Sequence, residues 1–183
     1  MFTFDTERVS DATEITDLLN IVFGADRHEK ASYALRYNTA PISALCQVVR
    51  SGDKLAASIR FWSVSISDLL TGERHQALLL GPLAVDPAFQ GSGTGSKLII
   101  RTLSAAAALG HQRIILVGDE CFYGRFGFVP TLPCYITLPG GRDARRLLVK
   151  QSAILPSLPA VGRVEPRLDA ICPEQQGALA IAS

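Results

Sequence analysis

Residues 83–96 read Leu-Ala-Val-Asp-Pro-Ala-Phe-Gln-Gly-Ser-Gly-Thr-Gly-Ser, and no other stretch constrains the chain as strongly. An apolar strand runs into a short turn. The turn runs into three alternating glycines, Gly91, Gly93 and Gly95, which open an apolar helix. Such a junction leaves the first N–H groups of the helix without intrahelical partners. With the positive end of the helix dipole, they form a site for a phosphate or pyrophosphate. The glycines permit positive φ and a close ligand approach. Their spacing narrows the cofactor. A dinucleotide fingerprint needs G-x-G-x-x-G, whereas this loop is G-x-G-x-G. A triphosphate loop needs Gly-Lys-Ser/Thr, whereas Ser96 precedes Lys97.

The segment behind the loop supports the same unit. Residues 97–109 carry Leu98, Ile99, Ile100, Leu103 and several alanines, which predicts a buried helix stopped by Gly110. Residues 113–117, Arg-Ile-Ile-Leu-Val, lie between Gly110 and Gly118 and read as a buried strand. Strand, helix and strand make a βαβ-type unit. Residues 121–130 come next as Cys-Phe-Tyr-Gly-Arg-Phe-Gly-Phe-Val-Pro.

Elsewhere the pattern predicts a first strand or an extended lead-in over 2–9. Asp11 and Glu14 form a capping-box pattern. Ile15, Leu18, Leu19, Val22 and Phe23 then mark an amphipathic helix that Gly24 ends. A second, polar helix is expected over 26–37. Strands are expected over 44–50 and 55–66 about the turn 51–54, and over 75–85 with an interruption at Gly81-Pro82. Residues 134–138 read as a strand, 139–141 as a turn and 145–154 as the last strand. Residues 155–183 are either a packed-down arm or a partly disordered tail, with a short apolar end at 178–183. The order βααβββαβαββ makes an α/β (α+β) domain.

Composition excludes several classes. The chain has 183 residues, 48% of them hydrophobic, and a formal net charge of +1. That suits one globular core and argues against a nucleic-acid partner. No apolar run is long enough to span a bilayer, and the N-terminus lacks the features of a signal peptide, so a cytoplasmic protein without a membrane partner is expected. Cys46, Cys121, Cys134 and Cys172 form no C-x-x-C pair and have no histidine at metal-ligand spacing, so reduced thiols and no metal are expected.

The stretch Gln90-x-x-Gly93-x-Gly95 after Val85-Asp86-Pro87 resembles motif A of the GCN5-related N-acetyltransferase (GNAT) superfamily. Tyr123-Gly-Arg-Phe-Gly-Phe is similar to the tyrosine signature that succeeds the second cofactor strand in that family. The phrase 118–128 resembles its bacterial YhbS-type subgroup in particular. The resemblance is strongest over residues 77–129. It implies a GNAT-like mixed, mostly antiparallel central sheet with helices on both faces, with the domain over 1–140 and a C-terminal strand and tail over 141–183. It implies acetyl-coenzyme A (acetyl-CoA) as cofactor, its pyrophosphate held by Gln90, Gly91, Ser92, Gly93, Thr94, Gly95 and Ser96. The pantetheine arm is expected along Leu83, Ala84 and Val85. Tyr123 is implied as the acid, or a hydrogen-bond donor, for the departing thiolate. The acceptor wall is implied near Arg27, Tyr33, Arg36, Arg60, Trp62 and Tyr135, where arginines suit a carboxylate or phosphate. Glu73, His75 and Asp119 are candidate bases, and no motif selects among them.

The activity so implied is transfer of an acetyl group to a primary amine of a small molecule by direct attack. Alternative readings are a protein or peptide amine as acceptor, a longer acyl donor on a carrier protein, and a non-catalytic acyl-CoA binding module. A homodimer is compatible with the chain.

Overall fold

The computed structural model describes residues 1–140 and 144–167. Among these, nine strands form one mixed sheet. They are β1 (Phe2–Thr6), β2 (Gln47–Ser51), β3 (Lys54–Asp68), β4 (Arg74–Val85), β5 (Arg113–Val117), β6 (Val129–Pro130), β7 (Tyr135–Thr137), β8 (Leu147–Gln151) and β9 (Val161–Pro166). The main path runs β1-β2-β3-β4-β5-β8-β6, with β9 on β3 and β7 on β9. The β4–β5 and β7–β9 pairs are parallel, and the rest are antiparallel. The helices are α1 (Ala12–Phe23), α2 (Ala31–Ala34), α3 (Thr94–Ala108) and α4 (Glu120–Tyr123).

Strand alternation sorts side chains onto two faces. On one, Leu98, Ile99 and Ala106 of α3 pack with Val49, Ile59, Phe61, Leu78 and Leu80. On the other, Ile15, Leu18 and Leu19 of α1 pack with Val48, Leu55 and Ala84. Leu35, just past α2, packs on that second face with Trp62, Val64 and Leu79. The helical periodicity of α1 and α3 thus finds its partner in a sheet buried on both sides, each large side chain adding about 1.5–3 kcal/mol. Among the described residues no helix is long and apolar enough to cross a membrane.

Several local expectations need correction. Residues 26–37 do not form one helix. A 3-10 turn, Ala25–Glu29, is separated from the single turn of α2 by Lys30 in extended conformation (φ −70°, ψ 138°). Inside the 3-10 turn, Arg27 folds back onto Asn20 and the Gly24 carbonyl, and this anchor holds the segment away from a continuous helix. The capping-box pattern is also put to another use. Asp11 accepts from the Arg8 N–H (2.8 Å) and pairs with Arg50 (2.8 Å), and Glu14 pairs with the same guanidinium (2.9 Å). Both carboxylates therefore clamp α1 to β2 and do not cap the helix.

The first strand ends at Thr6. Ser43–Leu45 is a 3-10 turn, so β2 begins only at Gln47. The segment expected as the last strand is trimmed to β8, and β9 comes after it. β9 is possible because β3 overhangs its first partner. β2 covers Lys54–Ile59, and β9 pairs Val64–Asp68 on the same edge. The arm beyond Leu155 is packed down through Pro166. The rest of the tail, Cys172 and Gly141 lie outside the described residues.

Candidate active site

The site begins where two parallel strands part. β4 and β5 pair only at Leu78–Ile114 and Leu79–Ile115. Beyond Leu79, β4 has no strand neighbour on that side among the described residues. Its register with β3 also shifts between Ile59 and Phe61, opposite Gly81-Pro82. An extra residue there bends the strand and re-aims the residues beyond it. The exposed edge over residues 80–85 offers backbone donors and acceptors to an extended ligand, as an added strand would use them.

The loop after β4 is tied down from within. Asp86 accepts from the Ala88 N–H (2.8 Å), and its other oxygen pairs with Lys54 (2.9 Å). The Lys54 pair, then the Ala88 N–H, hold the carboxyl below its usual range against opposing burial. Gln90 donates to the Val85 carbonyl (3.4 Å), and Ser92 donates to the Phe89 carbonyl (2.6 Å) and meets the Thr94 hydroxyl (2.7 Å). Asp86→Ala removes a capping acceptor and a half-exposed ion pair. It is expected to cost about 1–2 kcal/mol in a denaturant melt and to loosen cofactor binding.

Gly93 immediately precedes α3 at φ +76°. A Cβ on Gly95 would lie 3.1 Å from Val85 Cγ2, so its hydrogen lets α3 pack close to β4. The first turn of the fifteen-residue α3, through Thr94, Gly95 and Ser96, lines a cavity of about 280 Å³. Leu83, Val85, Gln90, Gly91, Gly93, Thr94, Gly95, Ser96, Phe122 and Arg125 line it. Arg125 stacks on Phe122, its Cζ 4.3 Å from the ring centroid, and donates to the Phe122 carbonyl (3.0 Å). A helix N-terminus and a guanidinium on one small cavity have the donors and positive charge that suit an anion such as a diphosphate.

A second cavity, of about 440 Å³, continues from the first through shared walls at Leu83 and Phe122. It is lined by Phe23, Lys30, Tyr33, Arg36, Gly81, Pro82, Gly118, Asp119, Tyr123 and Arg146, among others. Tyr123 closes α4, packed edge-on against Phe122 (4.9 Å) and Phe128 (6.0 Å). Burial pushes its phenol up to about 12, with nearby Arg146 acting the other way. The group therefore keeps its proton at neutral pH, and it opens on the cleft as a donor. Gly118 makes room for the ring: a Cβ there would stand 2.7 Å from Tyr123 Cδ2 and 2.8 Å from Leu116 Cδ1. Gly118→Ala should cost about 1–3 kcal/mol in a melt by overpacking and shift the ring.

The expected site residues divide clearly. The structure brings together Leu83, Val85, Gln90, Gly91, Gly93, Thr94, Gly95 and Ser96 on one cavity, with Tyr33, Arg36 and Tyr123 on the next. Ala84 points the other way, into the α1 face, and Ser92 serves the loop itself. Trp62 lies under Arg36, whose Cζ is 4.9 Å from its ring centroid. Arg27 is consumed by Asn20, and Arg60 is held by both oxygens of Glu7 (2.8 and 2.6 Å). Neither lines the cleft, nor does Tyr135, which is exposed on β7.

Among the base candidates, Glu73 and His75 sit together (3.8 Å) at the far end of β4. Asp119 lines the cleft while capping α4 through the Cys121 N–H (2.9 Å). Sequence reasoning missed Lys30, Phe122, Arg125 and Arg146 as lining residues. Phe122 lies directly before the tyrosine signature and Arg125 inside it, so both were available to it. Arg146 reaches the cleft only because β8 inserts between β5 and β6. Among the described residues no cluster of three or more His, Cys, Asp or Glu could hold a metal.

Comparison with known proteins agrees with this geometry. The model of the acetyltransferase (GNAT) domain matches residues 44–130, spanning β2 to β6. The uncharacterized N-acetyltransferase YjhQ of Escherichia coli is 30% identical over 131 residues, 70% of each chain. The uncharacterized N-acetyltransferase YhbS of the same organism is 29% identical over 118 residues, 64% of this chain and 68% of that one. The crystal structure of Escherichia coli YhbS in complex with CoA superposes with a TM-score of 0.71 at 23% identity, covering 88% of both chains. A GNAT family acetyltransferase from Brucella melitensis, crystallised with acetyl-CoA, superposes with a TM-score of 0.67 at 25% identity, covering 91% of this chain and 96% of that one. A parted β4–β5 pair, a glycine loop opening α3 and a tyrosine at their junction thus occur together in a chain that belongs to the GNAT family of acetyltransferases.

Proposed function

We propose that the protein is an N-acetyltransferase that moves the acetyl group of acetyl-CoA to a primary amine of a small molecule by direct attack. The observation that carries this reading is the continuity of the two cavities through Leu83 and Phe122, with Tyr123 on the wall of the second. The cofactor is acetyl-CoA, as in its family, and two structural relatives were crystallised with CoA or acetyl-CoA. Its diphosphate fits the first turn of α3 and Arg125. Its extended arm fits the open edge of β4, which leads into the larger cavity.

Position dictates the chemistry. A neutral amine in the larger cavity attacks the thioester carbonyl, forming the N–C bond. Backbone N–H groups on the open edge of β4 stabilise the developing oxyanion. The C–S bond breaks, and the thiolate takes the phenolic proton of Tyr123. The ammonium nitrogen loses its extra proton to solvent or through Asp119, the acidic side chain on that cleft. Because Tyr123 is held well above its ordinary value, turnover should rise with pH as the amine deprotonates. It should show no falling limb near about pH 10, where an ordinary tyrosine ionises. A pH–rate profile of kcat checks this.

A cavity of about 440 Å³ is the size of a small-molecule site, which favours a small amine over a protein acceptor. The free thiols Cys46, Cys121 and Cys134 suit a reducing cytoplasm. The test is calorimetric titration with acetyl-CoA, with NADH and ATP as controls, and then thiol-release assays across small amines and peptides. Selective acetyl-CoA binding with turnover of small amines supports the reading. Turnover of peptides alone moves the acceptor to protein, and binding without any turnover makes the chain a binding module.

A further inference from the structure

Three buried or half-buried arginines of this fold have polar partners. Arg50 holds Asp11 and Glu14, Arg60 holds Glu7, and Arg113 donates to Gln151 and to the Pro156 carbonyl. Arg36 is different. Its guanidinium lies between two aromatic rings, its Cζ 4.2 Å from the Tyr33 centroid and 4.9 Å from the Trp62 centroid. Its Nε and Nη1 are buried with no hydrogen-bond partner among the described residues. The Tyr33 hydroxyl and Trp62 Nε1 are in the same condition. Of seven such buried polar atoms among the described residues, four thus belong to this one stack. That concentration is not general looseness of packing.

The physics of the stack is lopsided. Ring faces attract the flat face of a guanidinium, but they offer nothing to N–H groups in its plane. Burial pushes Arg36 down to about 10, opposed by Tyr33 and reinforced by Arg60, and among the described residues no carboxylate is paired with it. An unpaired buried cation and idle donors are costly to keep, and a buried group left unsatisfied in a native structure calls for a reason. The missing partner must be rich in acceptors, planar or tetrahedral, and negatively charged. Arg36 and Tyr33 border the acceptor cavity, and that cavity also carries Lys30 and Arg146 against the single carboxylate of Asp119.

Resting on the N-acetyltransferase reading, we infer that the amine acceptor carries an anionic group, a carboxylate or a phosphate, which Arg36 binds between Tyr33 and Trp62. Arg36 is then the residue that sets acceptor specificity. The acceptor is an amino acid or a phosphorylated amine rather than a simple polyamine or aminoglycoside-like cation.

Two measurements test this. Thiol release is monitored for matched acceptors: amino acids against their amides, and O-phosphoethanolamine against ethanolamine. The anionic member should be preferred by about a hundredfold in kcat/KM, since a site built to bond a group rejects the analogue that lacks it. Arg36→Gln should bring that ratio to near one while calorimetric acetyl-CoA affinity is kept, and Arg36→Lys should fall between. The second measurement needs no turnover. Trp62 is the only tryptophan, so its fluorescence reports directly on the stack.

N-acetylated amino acids and inorganic phosphate are titrated with and without CoA. A saturable change with the acetylated amino acids alone assigns a carboxylate, and one with phosphate assigns a phosphate. Neutral acceptors used equally well, or no saturable change with either anion on the folded wild-type protein, overturns the inference and leaves the acetyltransferase reading intact. Absence of acetyl-CoA binding and of all turnover sinks that reading instead, and the fluorescence titration still decides whether the stack holds an anion.

Discussion

Gly93→Val is expected to weaken acetyl-CoA binding by about a hundredfold or more while leaving the protein folded. Gly93 stands at φ +76°, where a β-branched residue is strained, and that strain alone costs roughly 1–2 kcal/mol. The larger effect is on the ligand. Apart from its chain neighbours, no atom of the described residues lies within 4 Å of a Cβ at this position, so the new methyl groups extend into open space. That space is the cavity at the head of α3, the place for the diphosphate. The side chain both fills it and turns the first N–H groups of the helix out of line. Calorimetry should show at least a hundredfold weaker binding, on the order of 3 kcal/mol, with a thermal midpoint only slightly lowered. Asparagine, which tolerates the left-handed region, separates the two causes: Gly93→Asn should relieve the strain and still weaken binding. Unchanged affinity in the valine variant would falsify the assignment of this loop to the cofactor.

The second large effect is on turnover. Tyr123→Phe keeps the ring that packs on Phe122 and Phe128 and removes only the phenolic proton. If that proton reaches the leaving thiolate in the transition state, kcat falls by about 10²-fold or more. Acetyl-CoA affinity should hardly change, because the hydroxyl is used only as the C–S bond breaks. The variant should also become more sensitive to the leaving group, so a donor with a more acidic thiol should recover part of the rate. Wild-type turnover in this variant would leave Tyr123 a packing residue of α4.

The two variants probe opposite kinds of information in the chain. The cofactor half is local. Gln90 to Ser96 are consecutive, and a strand, a loop and a helix in series place their N–H groups whatever the rest of the chain does. Spacing alone therefore singles out the loop, and Gly110 and Gly118 mark the ends of α3 and β5. The tyrosine signature is local too, which is why Phe122 and Arg125 were within reach of the same reading.

The larger cavity is assembled from distant segments, and there local pattern failed. The arginines at 27, 36 and 60 look alike in the sequence. Their fates were settled by what each met on folding: Asn20 for Arg27, Glu7 for Arg60, and two aromatic faces for Arg36. The polar segment 26–37 had helical composition but broke at Lys30, because side-chain anchoring outweighed a weak propensity. β9 carries Gly162 and Pro166 and resembles a loop in isolation. It is a strand because β3 outruns β2 and leaves an edge to be paired. The sequence by itself determined the family, the glycine loop at the head of α3 and the two cores, since these depend on periodicity and on residues adjacent in the chain. Only the tertiary structure decided which side chains line the larger cavity, since charge pairing across the sheet depends on neighbours that the order of residues does not reveal.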